Sequence, residues 1–170
     1  MGKLTRLGLI AVLLLGCVGC DQASKHLVRS HIPLGYSESY LGDTLRLTHA
    51  ENAGVFLSVG ADLPRSVRII AFQGVVGLIV LSLLWAALFA RNLGTRGIVA
   101  FTFLAAGGLG NLLDRLAYEG RVTDFLNLGL GPIRTGIFNV ADVVGALGAI
   151  VLLLSTSPAR PRASARLAGR

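Results

Sequence analysis

Residues 137–154 read IFNVADVVGALGAIVLLL. From Val143 onward the run is wholly apolar, while Asn139 and Asp142 stand at its head. A membrane helix needs roughly 20 apolar residues to cross the hydrocarbon core, so this run, slightly extended, is a candidate span. An ionised side chain at the bilayer centre costs from about 2.5 kcal/mol upward, and ionisable residues kept inside such a run usually mark function. The apolar pattern and its polar exceptions therefore have to be read together.

Outward from this stretch lie three more apolar segments, Leu7 to Cys20, Ile69 to Ala90 and Ile98 to Leu113. The first must continue through Asp21 and Lys25 to reach spanning length, and the third must run to about Leu116. Spans are thus predicted over about residues 7–27, 67–90, 97–116 and 137–155. The 170 residues are 53% hydrophobic and 15% charged, and the mean hydropathy is +0.68, which excludes an ordinary soluble domain. The predicted fold class is mainly α and integral to the membrane, one embedded domain over residues 1–155. The basic stretch 156–170 has no apolar periodicity and reads as a disordered cytoplasmic tail.

A net charge of +7 invites a nucleic-acid reading, but the cations sit in short segments flanking the apolar runs. Lys3, Arg6, Arg91, Arg96, Arg160, Arg162, Arg166 and Arg170, half of the 16 basic residues, mark the cytoplasmic side, and all nine acids fall outward. Both termini are then cytoplasmic. Two outer excursions remain, about Val28 to Pro64 and Tyr118 to Thr135. In the first, Tyr36 to Tyr40 and Thr44 to Thr48 alternate around Gly42-Asp43, the pattern of a hairpin and a small sheet at the membrane surface. The second reads as a short loop.

Lys3 and Arg6, the apolar run and Leu14-Leu15-Gly16-Cys17 also resemble a lipoprotein signal peptide with its cleavage box, which would make the chain a substrate. Three further spans and the helical setting of Asp21 favour a first membrane helix instead. Cys17 and Cys20 read as small packing residues, and two thiols cannot supply a four-ligand metal site. His26, His31 and His49 are scattered and read as surface residues, so neither a metal nor an organic cofactor is expected.

Three spans carry polar groups to one depth near the outer interface: Asp21 and Lys25, then Asn111, Asp114 and Arg115, then Asn139 and Asp142, with Asp124 joining from the adjoining outer segment. Spacings of three and four place Asn111 with Asp114 and Arg115 on one helix face, and Asp21 with Lys25 on another. Asp21–Lys25 and Asp114–Arg115 can be read as ion pairs that cap or snorkel. Asp124 and Asp142 have no basic neighbour in sequence, and two carboxyl groups held together can share one proton. One member then activates water while the other donates to the developing oxyanion. Gly107, Gly108 and Gly110 suit close helix packing; in the first excursion Gly54 suits a tight turn, and Asn52 can bond a substrate backbone.

Taken together, Asp21-x-x-x-Lys25, Asn52-x-Gly54, the Gly-rich element Gly107 to Arg115, Val122-x-Asp124-Phe125 and Phe138-Asn139-x-Ala141-Asp142 resemble, in order, the motifs of the lipoprotein signal peptidase (signal peptidase II) family. The resemblance implies a four-span inner-membrane peptidase with a periplasmic β-like cradle and catalytic Asp124 and Asp142. It further implies that Asn52, Gly54, Asn111, Asp114, Arg115 and Asn139 line or brace the substrate site, supported by Asp21 and Lys25. The implied substrate is a diacylglyceryl-modified prolipoprotein, cut before its lipobox cysteine, with globomycin-type inhibitors expected to block the site. Membrane lipid is the surrounding partner, nucleic acid is not one, and the chain is expected to be a monomer. Two alternatives are a small membrane transporter, disfavoured because charge is nearly absent from the inner halves of the later spans, and a non-catalytic lipoprotein- or antibiotic-binding relative.

Overall fold

In a computed structural model of the chain, residues 1–53 and 64–156 are described. Four helices occupy the four apolar segments: α1 (Lys3–His31), α2 (Arg65–Phe89), α3 (Thr95–Ala117) and α4 (Val140–Thr156). Between them lie strands β1 (Ser37–Tyr40), β2 (Leu45–Asn52), β3 (Val122–Leu130) and β4 (Ile133–Arg134). Helix α1 stops at Ile32, whose backbone is extended, because the following Pro33 disfavours the helical conformation before it. Gly54 and the tail 157–170 lie outside the described residues.

Lys3–His31 and Thr95–Ala117 are long and apolar enough to cross a membrane, and Gln73–Phe89 and Val140–Ser155 are apolar but shorter. Large apolar side chains point outward all round, among them Leu15, Leu81, Trp85 and Leu153, each more than half exposed. Contiguous exposed apolar surface on this scale is a membrane-facing surface. Helices α3 and α4 touch through glycine. A Cβ on Gly107 would meet the Ala141 carbonyl oxygen at 2.5 Å, and one on Gly148 would meet Leu104 N at 2.8 Å, so the two backbones approach too closely for any larger residue. At the opposite end from the site, Arg6 of α1 donates to the Ala87, Ala90 and Ala86 carbonyls at 2.6, 3.1 and 3.2 Å. All three lie in the last turn and cap of α2, where Ala86 O also accepts from Ala90 N at 3.0 Å, and a guanidinium fork satisfies several carbonyls at once.

The strands form one antiparallel sheet in the order β1-β2-β3-β4. The expected hairpin is present, with Tyr40 opposite Leu45 and positive φ at Leu41, Gly42 and Asp43. The second outer excursion differs from its reading as a loop: Leu126, Leu128 and Leu130 alternate along β3, which pairs with β2 on one side and β4 on the other. A register shift between Leu47 and Ala50 turns His49 inward. His49 is 6% exposed with Nδ1 2.6 Å from the Ile32 carbonyl, which corrects its reading as a surface residue; His26 and His31 are exposed.

Candidate active site

Strand β3 also pairs with the chain entering α4. Phe125 N and Leu126 N donate to Phe138 O at 3.0 and 2.8 Å, and Phe138 N returns a bond to Leu126 O at 2.8 Å. The next residue, Asn139, is thereby set beside Asp124. Its side-chain nitrogen donates to Asp124 Oδ1 at 2.6 Å, and Asn52, at the end of β2, donates to Asp124 Oδ2 at 3.0 Å.

Asn139 does not lie inside the fourth helix, as its place in the apolar run predicted; it precedes the helix and caps it. Its Oδ1 accepts from Asp142 N and its own N donates to Asp142 Oδ2, both at 3.1 Å. This is a reciprocal capping box, and it reflects the strong preference of Asn for the N-cap. A single residue therefore contacts both carboxylates. Asn111 completes the bridge, donating to Asp142 Oδ1 at 2.8 Å while its own Oδ1 accepts from Asn139 at 3.1 Å.

Below this layer lies a second, buried one. Lys25 is fully buried; its Nζ lies 2.9 Å from Asp21 and 3.1 Å from Asp114, and donates to Asn111 Oδ1 at 2.9 Å. Since an ammonium can only donate, it fixes which end of the Asn111 amide faces Asp142. Asp21 Oδ1 accepts from Ala141 N at 2.8 Å, reaching the first turn of α4 from another helix. Gly110 leaves room for this carboxylate, since a Cβ there would stand 2.7 Å from Asp21 Oδ2.

The expected Asp114–Arg115 pair gives way to a different one, because neighbours in sequence diverge around a helix and Lys25 reaches Asp114 from α1. Arg115 donates to Asn111 O at 3.3 Å and interacts electrostatically with Asp124, Asp142 and, less, Asp114, so the two aspartates do have a cation in space if not in sequence. Asp142 is exposed towards a cavity of about 300 Å³ lined also by Val76, Gly107, Asn111, Arg115 and Gly145. Asp124 is 4% exposed, and burial, reinforced by the charge of Asp142, holds its carboxyl above the usual range despite the Asn52 and Asn139 donors.

All the sequence-derived site residues except Gly54 thus fall in one hydrogen-bonded network. Three others belong to it. Gln22 donates to Asp21, Asp114 and the Gly110 carbonyl at 3.0 to 3.1 Å, and Arg29 donates to Thr123, whose backbone N bonds Asp114. Gln22 precedes Lys25 by three residues and Arg29 follows it by four, so helical spacing carried a signal for both. Among the described residues, no group of three or more His, Cys, Asp or Glu side chains is placed to hold a metal ion.

Fold and site define a mainly helical membrane protein with two carboxylates tied together at one end of its bundle. The family described as signal peptidase (SPase) II matches residues 13–157. Lipoprotein signal peptidases of Borreliella burgdorferi (strain ZS7) and Desulforapulum autotrophicum are 31% and 34% identical, over 85% and 88% of this chain and 87% and 90% of their own. That of Streptococcus pneumoniae is 32% identical over 86% of this chain and 91% of its own. A bacterial membrane enzyme solved by the in meso method at 2.3 Å superposes with a TM-score of 0.72 at 25% identity, covering 87% of both chains. A second, solved at 1.9 Å, shares the fold with a TM-score of 0.75, covering 90% of this chain and 95% of its own. The chain belongs to the signal peptidase II family.

Proposed function

We propose that this chain is an aspartic endopeptidase that removes the signal peptide from diacylglyceryl-modified prolipoproteins, cutting on the amino side of the lipid-bearing cysteine, with Asp124 and Asp142 as its catalytic pair. The observation that carries this reading is Asn139, which donates to both carboxylates through two different nitrogens. One carboxylate takes a proton from water as the water attacks the scissile carbonyl, and the protonated partner donates to the developing oxyanion and then to the leaving amine. The titration belongs to the coupled pair, so neither member is a fixed base. Asn52, Asn111 and Asn139 hold the carboxylates in place, and Arg115 adds positive charge beside them. Asp21, Lys25 and Asp114 brace this layer from beneath.

The helices form a four-span monomer in the bacterial inner membrane, with both termini cytoplasmic and the sheet and site on the periplasmic side. The distribution of the basic residues supports that orientation. A reporter fused after Arg170 reads cytoplasmic on this topology, and a periplasmic signal overturns it. The activity is tested by a gel-shift assay with purified protein and lipidated prolipoprotein, with and without globomycin. Asp124→Asn and Asp142→Asn are expected to lose about 10²- to 10⁴-fold in rate while remaining folded. Wild-type cleavage by either rejects the pair.

A further inference from the structure

Asp21, Lys25 and Arg29 recur every four residues along α1 and so share one face. The first two reach α4 and Asn111, on the Asp142 side of the site. Arg29 reaches the other side. Its Nη1 donates to Thr123 Oγ1 at 2.8 Å, and its guanidinium lies 4.2 Å from the centroid of the Tyr118 ring. The same nitrogen is 3.7 Å from Asp114 Oδ1, whereas Lys25 already stands 3.1 Å from that carboxylate, so the short bond made by Arg29 is the one to threonine.

Thr123 is 3% exposed and is held twice, by Arg29 through its hydroxyl and by Asp114 Oδ2, which accepts from its backbone N at 3.0 Å. Successive side chains of a strand point to opposite faces, so a residue locked at 123 sets the direction in which 124 leaves the backbone. We propose that Arg29 is a positioning residue for Asp124, acting through Thr123; this rests on the aspartate pair proposed above. The cation–π contact keeps the guanidinium in one orientation, and a planar fork loses little rotamer freedom in making a directed bond.

The test compares Arg29→Met, Arg29→Lys, Thr123→Val and the double variant Arg29→Met/Thr123→Val in the gel-shift assay, with Asp124→Asn alongside. Displacing a catalytic group by about 1 Å can cost about 100-fold, so Arg29→Met and Thr123→Val are each expected to lower kcat at least about tenfold, with KM within about twofold. The double variant falls no further than the weaker single, because both break one contact. Arg29→Lys, which keeps a cationic donor, recovers most of the rate. In Thr123→Val, which changes no charge, the pH profile of kcat moves to lower pH as the aspartate pair becomes better solvated, a change that a purely structural contact does not produce. Should Arg29→Met fail to fold, Thr123→Val decides alone, since it removes only the hydroxyl. Wild-type kcat in Thr123→Val with an inactive Asp124→Asn overturns the positioning role and spares the pair; an active Asp124→Asn overturns both.

Discussion

Ala141 donates its backbone N–H to Asp21 Oδ1 at 2.8 Å, joining α4 to α1 across 120 residues of sequence. The neighbouring amides are also accounted for, Asp142 N by Asn139 Oδ1 and Asn139 N by Asp142 Oδ2, both at 3.1 Å. A helix start leaves such groups without partners, and here each one named is closed by a residue that also belongs to the site. The turn carrying Asp142 is therefore fixed by α1 and by its own cap at once.

Asn139→Ala removes the cap and the donor to buried Asp124 together. The cap is worth about 0.5–2 kcal/mol and a hydrogen bond to a charged group about 1.5–3 kcal/mol, so a loss of about 2–5 kcal/mol is expected. Thermal unfolding in detergent measures it, and a loss below about 1 kcal/mol would show that the box is not holding the helix start.

Asp124 gives stability a pH signature. Burial raises its carboxyl above the usual range, so the folded state binds this proton more tightly than the unfolded chain. Its contribution is fully present below the unfolded value and is lost as pH rises through the folded one. Asp124→Asn lacks that slope. The Tm of the variant minus that of the wild type should rise as pH goes from below about 4 to neutral, and a flat difference contradicts the burial effect.

Lys25→Met leaves Asp21 and Asp114, 1% and 0% exposed, without their central cation. Removing one partner of a buried ion network costs about 3–5 kcal/mol, enough to deplete folded protein on size-exclusion chromatography. Asp114→Asn in the same chain should restore part of the yield, because one uncompensated charge is gone. No restoration would mean that Lys25 acts through packing alone.

Gly107→Ala places a methyl group 2.5 Å from the Ala141 carbonyl and 2.9 Å from Gly145 N, forcing α3 and α4 apart directly beneath Asp142. A loss of about 1–3 kcal/mol and a fall in cleavage are expected. Gly16→Ala, in open space on α1, should be neutral or stabilising by about 0.5–1 kcal/mol. Equal unfolding temperatures for the two variants would contradict close packing at Gly107.

The helices were legible because each is an apolar run, and the hairpin was legible because Gly42-Asp43 announces a turn that the backbone makes with φ of 63° and 69°. The β3 strand was not, since its buried half, Val122 to Phe125, does not alternate and only Leu126, Leu128 and Leu130 do. The site residues were visible as polar exceptions in apolar surroundings, but their pairing was not. Periodicity sees partners on the same helix, such as Asp21 and Lys25, and is blind to Lys25 reaching Asn111 and Asp114 on α3. The inward turn of His49 was equally hidden, because it follows from a register shift between two strands distant in sequence.

Arg6 is one of the charges that orient the chain in the proposed topology, and its guanidinium is also bonded to the last carbonyls of α2. On that topology, a residue that helps choose which way the first helix threads also rivets it to the second. Sliding of α1 along its own axis would break three bonds at the far end, so the register that delivers Asp21, Lys25 and Arg29 to the site is set from the opposite end of the bundle.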